Sequence, residues 1–334
     1  MDQTVSETTA EPIRDRPRSR LRIGDFELQA GRIVLIQTGN SATIDRALLA
    51  EVAIWVGCYL AVRLAALRHI GRARRSIWFT PSVPHPRYMV RIAAIWAGIR
   101  VAPNPETADA AFFFEDATSS VPPSPQHARA YNFDCGDISK GRVARVFGEV
   151  FGYPLAVDPA TWRGPAVEKS EANGTHDGRI VECPTPARAG FVYQRVIDTV
   201  EDGLSIDLRT HAVGGRVVAV WIKRRHAAAR FQPANVSVTR TAPEAVFTAA
   251  EQTRIATFTQ AMGADWAGLD ILRDRSSGRI YIVDVNKTDA GPIIALSLAD
   301  KLRSVATLAR ALTALIDQPS SVAASVSTRS SKAA

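Results

Sequence analysis

The spacing of apolar positions changes character along the chain. Apolar residues recur at helical intervals over residues 44–67, which predicts a long helix. A strand at 76–79, a helix at 87–97 and strands at 99–102, 110–114 and 130–133 follow. A helix over 138–151 closes this half, with Asp137 or Ser139 as its N-cap. Alternation of this kind predicts βα units around a mostly parallel sheet. After Pro165 the pattern shortens to β-rich segments (AVEKS, GRIVEC, FVYQRVI, IDLRTHAV, RVVAVWI) punctuated by Gly or Pro, which predicts antiparallel pairing. A helix over 243–262, a strand pair at 266–273 and 279–286, and a last helix over 292–315 complete the folded part. The two ends, 1–20 and 318–334, have no apolar period and are expected to be disordered. The expected organisation is therefore an arm (1–20), an N-terminal α/β domain (21–136), a second domain (137–317) and a tail.

Composition narrows this picture. A chain of 334 residues, 46% of them hydrophobic, can bury a full core. The longest uncharged apolar run near the N-terminus, 52–62, is short for a bilayer, so no transmembrane segment is expected. The first 20 residues carry Arg14, Arg16, Arg18 and Arg20 and no apolar core, so no secretory leader is expected. Cys58, Cys135 and Cys183 lie far apart, with neither a disulfide framework nor zinc-ligand spacing. A cytoplasmic location is the expectation. The formal charge of +8 is gathered in Arg63, Arg68, Arg72, Arg74 and Arg75 and in Lys223, Arg224, Arg225, Arg230 and Arg240. Such clusters suit nucleic acid, an anionic membrane surface or phosphorylated ligands, and composition does not choose among them.

The segment WAGLDILRDRSSGRIYIVDVN reads as two apolar strands joined at Ser276-Ser277-Gly278. Setting Arg275 opposite Arg279 places Asp270 opposite Asp284 and Gly268 opposite Asn286, so three oxygen-bearing side chains share one face. Opposed carboxylates, with Cβ atoms about 4.5–5.5 Å apart, repel unless something neutralises them. Oxygen ligands without His or Cys suit Mg²⁺ or Mn²⁺, with phosphates completing the shell.

Upstream, IDLRTHAVGGRVVAVWIKRR reads as a hairpin turning at Gly214-Gly215. Its register sets Arg209 opposite Val220 and Arg224 on the same side, so two guanidiniums address one anion. His211 shares that face. Lys169 ends a strand that enters a loop from Gly174 to Gly178, whose backbone is free to approach a triphosphate. Glu115 and Asp116 follow a strand of the parallel sheet, at the end where such sheets carry ligand loops.

Taken in order, Lys169 with its Gly loop, VYQRVID, DLR with the GG turn and KRR, F-x-x-x-N, GLDIL and DVN resemble the ATP-grasp superfamily, most closely the branch of glutathione synthetase and ribosomal-protein glutamate ligases. The resemblance covers about residues 137–294. It implies an α/β protein in which a parallel-sheet, pre-ATP-grasp-like domain precedes an ATP-grasp domain of two α+β subdomains. It also implies an ATP-dependent carboxylate ligase, forming a carbon–nitrogen bond by way of an acyl phosphate. ATP and Mg²⁺ (or Mn²⁺) are then the cofactors, with Asp270, Asp284 and Asn286 as metal ligands. Lys140 and Lys169 take the phosphates, the backbone of Gln194, Arg195, Val196 and Ile197 reads the adenine, and Asp202 takes the ribose hydroxyls. Arg209 and Arg224 hold the acceptor carboxylate or acyl phosphate, with Lys223, Asn235 and His176 as further contacts to substrate or phosphate. The implied partners are a small-molecule or peptide carboxylate, an amine and a second copy of the chain; nucleic acid is not expected. The chain departs from the family pattern in having Arg195 at a position usually acidic, Asp284 for Glu, and KTDAGP as its terminal loop. The alternative readings are an ATP-grasp-like nucleotide-binding protein without ligase activity, and a basic binder of nucleic acid or membrane surface through residues 63–75.

Overall fold

A computed structural model describes residues 21–23, 26–29, 31–35, 41–72, 74–175, 177–232, 234–293 and 295–318. The expectations for residues 1–20 and 319–334 fall outside these. The described residues form two compact units divided between Val52 and Ala53. The first contains four strands that the apolar pattern did not announce: β1 (Leu21–Ile23), β2 (Phe26–Gln29), β3 (Arg32–Leu35) and β4 (Ser41–Thr43), an antiparallel meander in chain order. Helix α1 (Arg46–Ala66) begins in this unit and continues into the second.

The long helix is more apolar than its uncharged run over 52–62 implies. Leu48–His69 spans 22 residues and contains an 18-residue stretch of mean hydropathy 1.7, long and apolar enough to cross a membrane by length and composition. Counting uncharged residues alone missed it, because Arg63 and Arg68 interrupt the run without lowering its hydropathy far.

In the second unit, β5 (Ser76–Pro81), α2 (Met89–Trp96), β6 (Arg100–Val101), β7 (Ala110–Phe114) and β8 (Ala130–Tyr131) build a parallel sheet of order β6-β5-β7-β8. All five residues of β7 are buried, as expected of a strand covered on both faces. Helix α3 (Lys140–Phe151) follows, capped by Ser139, whose hydroxyl accepts from Arg142 N at 3.4 Å. A three-stranded antiparallel sheet comes next, from β9 (Gly164–Ser170), β10 (Arg179–Cys183) and β11 (Phe191–Arg195), with β9 in the centre.

The largest sheet is antiparallel. It contains β12 (Val200–Glu201), β13 (Leu204–Val213), β14 (Arg216–His226), β15 (Ser237–Thr241), β16 (Trp266–Arg273) and β17 (Ile280–Asn286). Its order is β15-β14-β13-β16-β17, with β12 beside β13. Helix α4 (Ala249–Ala261) precedes β16 and α5 (Leu298–Ile316) ends the unit. The unit is thus mixed α/β, one parallel sheet with two antiparallel ones.

Period-2 alternation divides the work of the large sheet between its faces. One face (Leu208, Val220, Leu269, Ile271, Val285) packs on α3 and α4 through Val143, Phe147, Ile255 and Phe258, each at most 6% exposed. Burying a phenylalanine of this kind contributes roughly 1.5–3 kcal/mol. The other face is shared. At one end Ala219, Trp221 and Trp266 pack on Leu308 and Leu312 of α5 and on the parallel sheet. At the other end the same face turns polar and looks across a cleft toward β9 and β11. The cysteines Cys58, Cys135 and Cys183 are buried free thiols.

Candidate functional site

Between the three-stranded sheet and the large sheet lies a cleft of about 410 Å³. Its lining includes Lys140, Lys169, Gln194, Arg195, Ile197, Asp207, Arg209, Lys223, Arg225, Asp270, Asp284 and Asn286, drawn from α3, β9, β11, β13, β14, β16, β17 and the loop after β11. The apolar side chains of Val167, Leu272, Val283 and Phe231 also face it.

The carboxylate face is as the sequence predicts, although by a different route. Asp270 pairs with Asp284 and Gly268 with Asn286. The turn, however, has four residues, 275–278: Asp274 N donates to Arg279 O (2.9 Å), and the Asp274 carboxylate accepts from Ser276 Oγ (2.8 Å) and Ser277 N (3.1 Å). That shifts the register by one residue. A β-bulge at Val283 then shifts it back, because Ile271 pairs with Ile282 while Asp270 pairs with Asp284. The bulged residue has no ladder partner, and its carbonyl accepts from Lys169 Nζ at 2.9 Å.

A second bulge overturns an expectation. The turn of the β13–β14 hairpin is as predicted, with Val213 opposite Arg216 and Gly214 and Gly215 at φ 54° and 72°, the left-handed values a two-residue turn requires. Val218 is then extra, so His211 pairs with Ala219 and Arg209 with Trp221 instead of Val220. One added residue inverts every later side chain. Arg224 therefore points away from the cleft, where its Nη1 donates to Thr239 Oγ1 at 2.9 Å. Lys223 and Arg225 take its place. Lys223 Nζ lies 3.6 Å from Asp270 Oδ1, and Arg225 pairs with Asp207.

The structure brings together Lys140, Lys169, Gln194, Arg195, Ile197, Arg209, Lys223, Asp270, Asp284 and Asn286. Lys140 opens α3, and its Nζ donates to Ala172 O in the flap loop at 2.5 Å. Arg195 lies over the Trp162 ring, 5.3 Å from its centroid, and its backbone N donates to Leu155 O at 2.9 Å. Val196 lines a neighbouring hollow with Trp162 and Tyr281. Asp202 is not brought in. It sits exposed at φ 50° in the tight turn from β12 to β13, because a two-residue reversal between paired strands needs a left-handed residue there. Asn235, in the approach to β15, is not among the lining residues. His176 lies outside the described residues. Asp116 acts structurally, its carboxylate accepting from Tyr88 Oη (2.6 Å) and Thr288 Oγ1 (2.7 Å), and Glu115 does not line the cleft.

Electrostatics divide the two carboxylates. Burial opposes the charge on Asp270, but Lys223, Arg209 and Arg225 outweigh it and hold the carboxyl well below its ordinary range. Arg209 Nη1 lies 3.2 Å from Asp270 Oδ1. Burial pushes Asp284 up, with Lys169 and Lys140 pulling it back. Burial pushes the Lys169 ammonium down to about 8, against the attraction of Asp284.

The donor set suits a hard divalent cation. Asp284 Oδ1 is buried without a hydrogen bond, which costs free energy unless a cation satisfies it. Asn286 Oδ1 accepts from Thr288 N at 3.0 Å and lies 3.5 Å from Thr288 Oγ1, whose shorter bond is to Asp116. Among the described residues no group of three His, Cys, Asp or Glu gathers to hold an ion. Two carboxylates and a carboxamide therefore need ligand oxygens to complete a shell, as Mg²⁺ sites with phosphates do.

Sequence reasoning missed the support behind Arg209. His211, fully buried edge-on to Trp266, sets Nδ1 3.2 Å from Asp289 Oδ2, and Asp289 lies 3.9 Å from Arg209 Nη2. Gly268 makes the room: a Cβ there would lie 2.6 Å from Arg209 Nη2 and 3.0 Å from Asp289 Oδ2. The glycine in GLDIL was the available signal. Gly268→Ala is expected to leave the melting temperature nearly unchanged, since the displaced atoms end a flexible chain. For the ATP-dependent activity that the resemblance implies, it should lower turnover about 10²-fold by moving Arg209, measured as ADP release. Turnover at the wild-type rate would remove Arg209 from the chemistry.

No family model matches this sequence, and no curated protein matches it. Similar solved structures are those of ligases. PsnB, described as an ATP-grasp ligase and solved with a minimal precursor, Mg and ADP, is 13% identical, covering 73% of this chain and 98% of its own, with a TM-score of 0.48. VanG D-Ala:D-Ser ligase from Enterococcus faecalis is 11% identical, covering 73% and 100%, with a TM-score of 0.47. D-alanine–D-alanine ligase from Bacillus anthracis is 12% identical, covering 78% and 100%, with a TM-score of 0.42. Identities this low and TM-scores below 0.5 leave any functional reading to rest on the residues of this chain.

Proposed function

We propose that this chain is an ATP-grasp ligase that joins a carboxylate to an amine through an acyl phosphate. The observation that carries the reading is that one cleft gathers the paired carboxylates Asp270 and Asp284 of the large sheet with the ammonium groups of Lys140 from α3 and Lys169 from β9. Carboxylates and ammonium groups lining one cleft suit a metal-bound polyphosphate, whose cation the former would hold and whose oxygens the latter would hold.

Lys140 and Lys169 would hold phosphate oxygens, and the Val283 carbonyl that now receives Lys169 marks where that ammonium rests. The backbone of 194–197, beside Val167 and Leu272, would receive the base. A bound divalent cation, held by Asp270, Asp284 and Asn286, would supply charge neutralisation at the bridging phosphate oxygens. The substrate carboxylate oxygen attacks the γ-phosphorus and ADP departs. The amine nitrogen then attacks the acyl carbon, phosphate departs, and the nitrogen gives up a proton. Arg209 and Lys223, at the Asp270 end, stabilise the charge that grows on the transferred group; positioned cations suffice for such chemistry.

The test is ADP and phosphate release with Mg²⁺ across a panel of amino acids, short acidic peptides and amines. ADP formed only when an acid, an amine and the metal are all present is the expected result. Nucleotide binding by thermal shift with no ADP across the panel would replace this reading by nucleotide binding without ligation.

A further inference from the structure

Helix α1 has two apolar faces, and its own unit covers one of them. Cys58 and Val62, at most 2% exposed, pack on Ile92 and Ile95 of α2 and Val305 of α5. Val56, Leu60, Leu64 and Leu67 fall within about 80° of one another, on the side opposite Cys58 and Val62. They are 44%, 56%, 66% and 55% exposed, and Ile70 beyond them is 66% exposed. Only 11% of the most apolar 18-residue stretch of Leu48–His69 is buried.

The charge carried by this segment of the chain is of one sign. From residue 52 to residue 105 the chain carries Arg63, Arg68, Arg72, Arg74, Arg75, Arg87, Arg91 and Arg100 and no Asp or Glu. Arg75 is neutralised by Asp317 at 2.5 Å, while Arg63 and Arg72 are exposed on the stripe and just past it. The basic turn is fixed in place. Arg68 donates to Trp96 O at 3.0 Å and lies over the Trp96 ring, and His69 packs on Gly98, where a Cβ would be 2.5 Å from the imidazole.

We infer that this face of α1 docks on an anionic lipid bilayer, its leucines in the acyl boundary and its arginines at the headgroups. An apolar stripe edged by arginines and free of acids is what lies flat in that interface. The packed face holds the helix along the protein body, so it rests on the membrane and does not cross it. Nucleic acid would meet the arginines and leave the leucines wet. A second copy across the same stripe would bury the leucines but set Arg63 near its own symmetry mate, with no acid from this segment to neutralise the pair.

The experiment is co-sedimentation of the full chain with vesicles of phosphatidylcholine alone and of phosphatidylcholine with phosphatidylserine, at low and raised salt. Binding to the anionic vesicles, weakened by salt, is expected. Leu60→Ser with Leu64→Ser should reduce partitioning about tenfold for each leucine, and Arg63→Gln with Arg72→Gln about fivefold for each arginine. The replaced side chains are exposed, and an unchanged melting temperature checks that each variant is folded. No binding to anionic vesicles, or binding indifferent to the leucine pair, would overturn the inference. So would a wild-type dimer in sizing experiments that the leucine variant dissolves, or binding to a DNA duplex that competes with the vesicles while ignoring Leu60 and Leu64.

Discussion

Asp284→Asn is expected to abolish metal-dependent ATP turnover, by at least about 10³-fold, while the metal-free protein melts at or above the wild-type temperature. The second half of this expectation follows from the direction in which burial moves the group. The folded pKa of Asp284 lies above its unfolded value, so the unfolded chain gives up this proton more readily. At neutral pH its charge therefore disfavours folding, and a neutral isostere removes the penalty. Asp270→Asn should be equally inactive and have the opposite effect on stability. Its folded pKa is depressed by Lys223 and Arg209, so its charge stabilises the fold above the ordinary carboxylate range, and that stability is lost as pH falls. Removing it takes the nearest carboxylate from Lys223 and leaves Arg209 with Asp289 alone, at a cost of about 1.5–3 kcal/mol. Thermal melts with and without Mg²⁺ and ADP read both effects. Wild-type protein should gain stability from the ligand pair by mass action, and both variants should lose that gain. A ligand-induced shift preserved in Asp284→Asn would take Asp284 out of the metal site.

Lys223→Met is expected to lower turnover about 10²-fold, whereas Arg224→Met should stay within about twofold of wild type. The two residues are neighbours in one strand, both cationic, and separated only by the alternation of faces. Lys223 lies 3.6 Å from Asp270 Oδ1, while Arg224 donates to Thr239 on the far side of the sheet. Rates of ADP release under saturating ATP and Mg²⁺ decide it. Equal losses, or a larger loss for Arg224, would mean that the β14 register in solution lacks the bulge at Val218.

Those two bulges mark the limit of what a period-2 pattern conveys. The existence of the hairpins, their Gly-centred turns and the convergence of Asp270, Asp284 and Asn286 are legible in GLDIL, DVN and the Gly214-Gly215 pair. Glycine and paired carboxylates in apolar strands carry local signals strong enough to survive small errors of register. The face of Lys223 is not legible. RVVAVWI is apolar at successive positions, so an extra residue leaves no break in its alternation, and backbone hydrogen bonding to β13 places it. The same is true of Val283, whose carbonyl is left for Lys169 only because the four-residue turn at 275–278 had already displaced the register. Asp202 illustrates a different loss: a polar residue a few positions past the expected hinge reads as a ligand until the chain reversal at β12–β13 takes it away.

By itself the sequence determined the kinds of element from residue 44 onward, the parallel sheet and the antiparallel region after Pro165, the cationic and carboxylate clusters and the segments that carry them, because side-chain period and turn chemistry are local; it did not announce β1–β4. Tertiary structure decided which cation faces Asp270, what Gly268 makes room for, and which side of α1 is left to solvent. Each of those depends on hydrogen bonds or packing between segments far apart in the chain, where one inserted residue or one covering helix reverses the outcome.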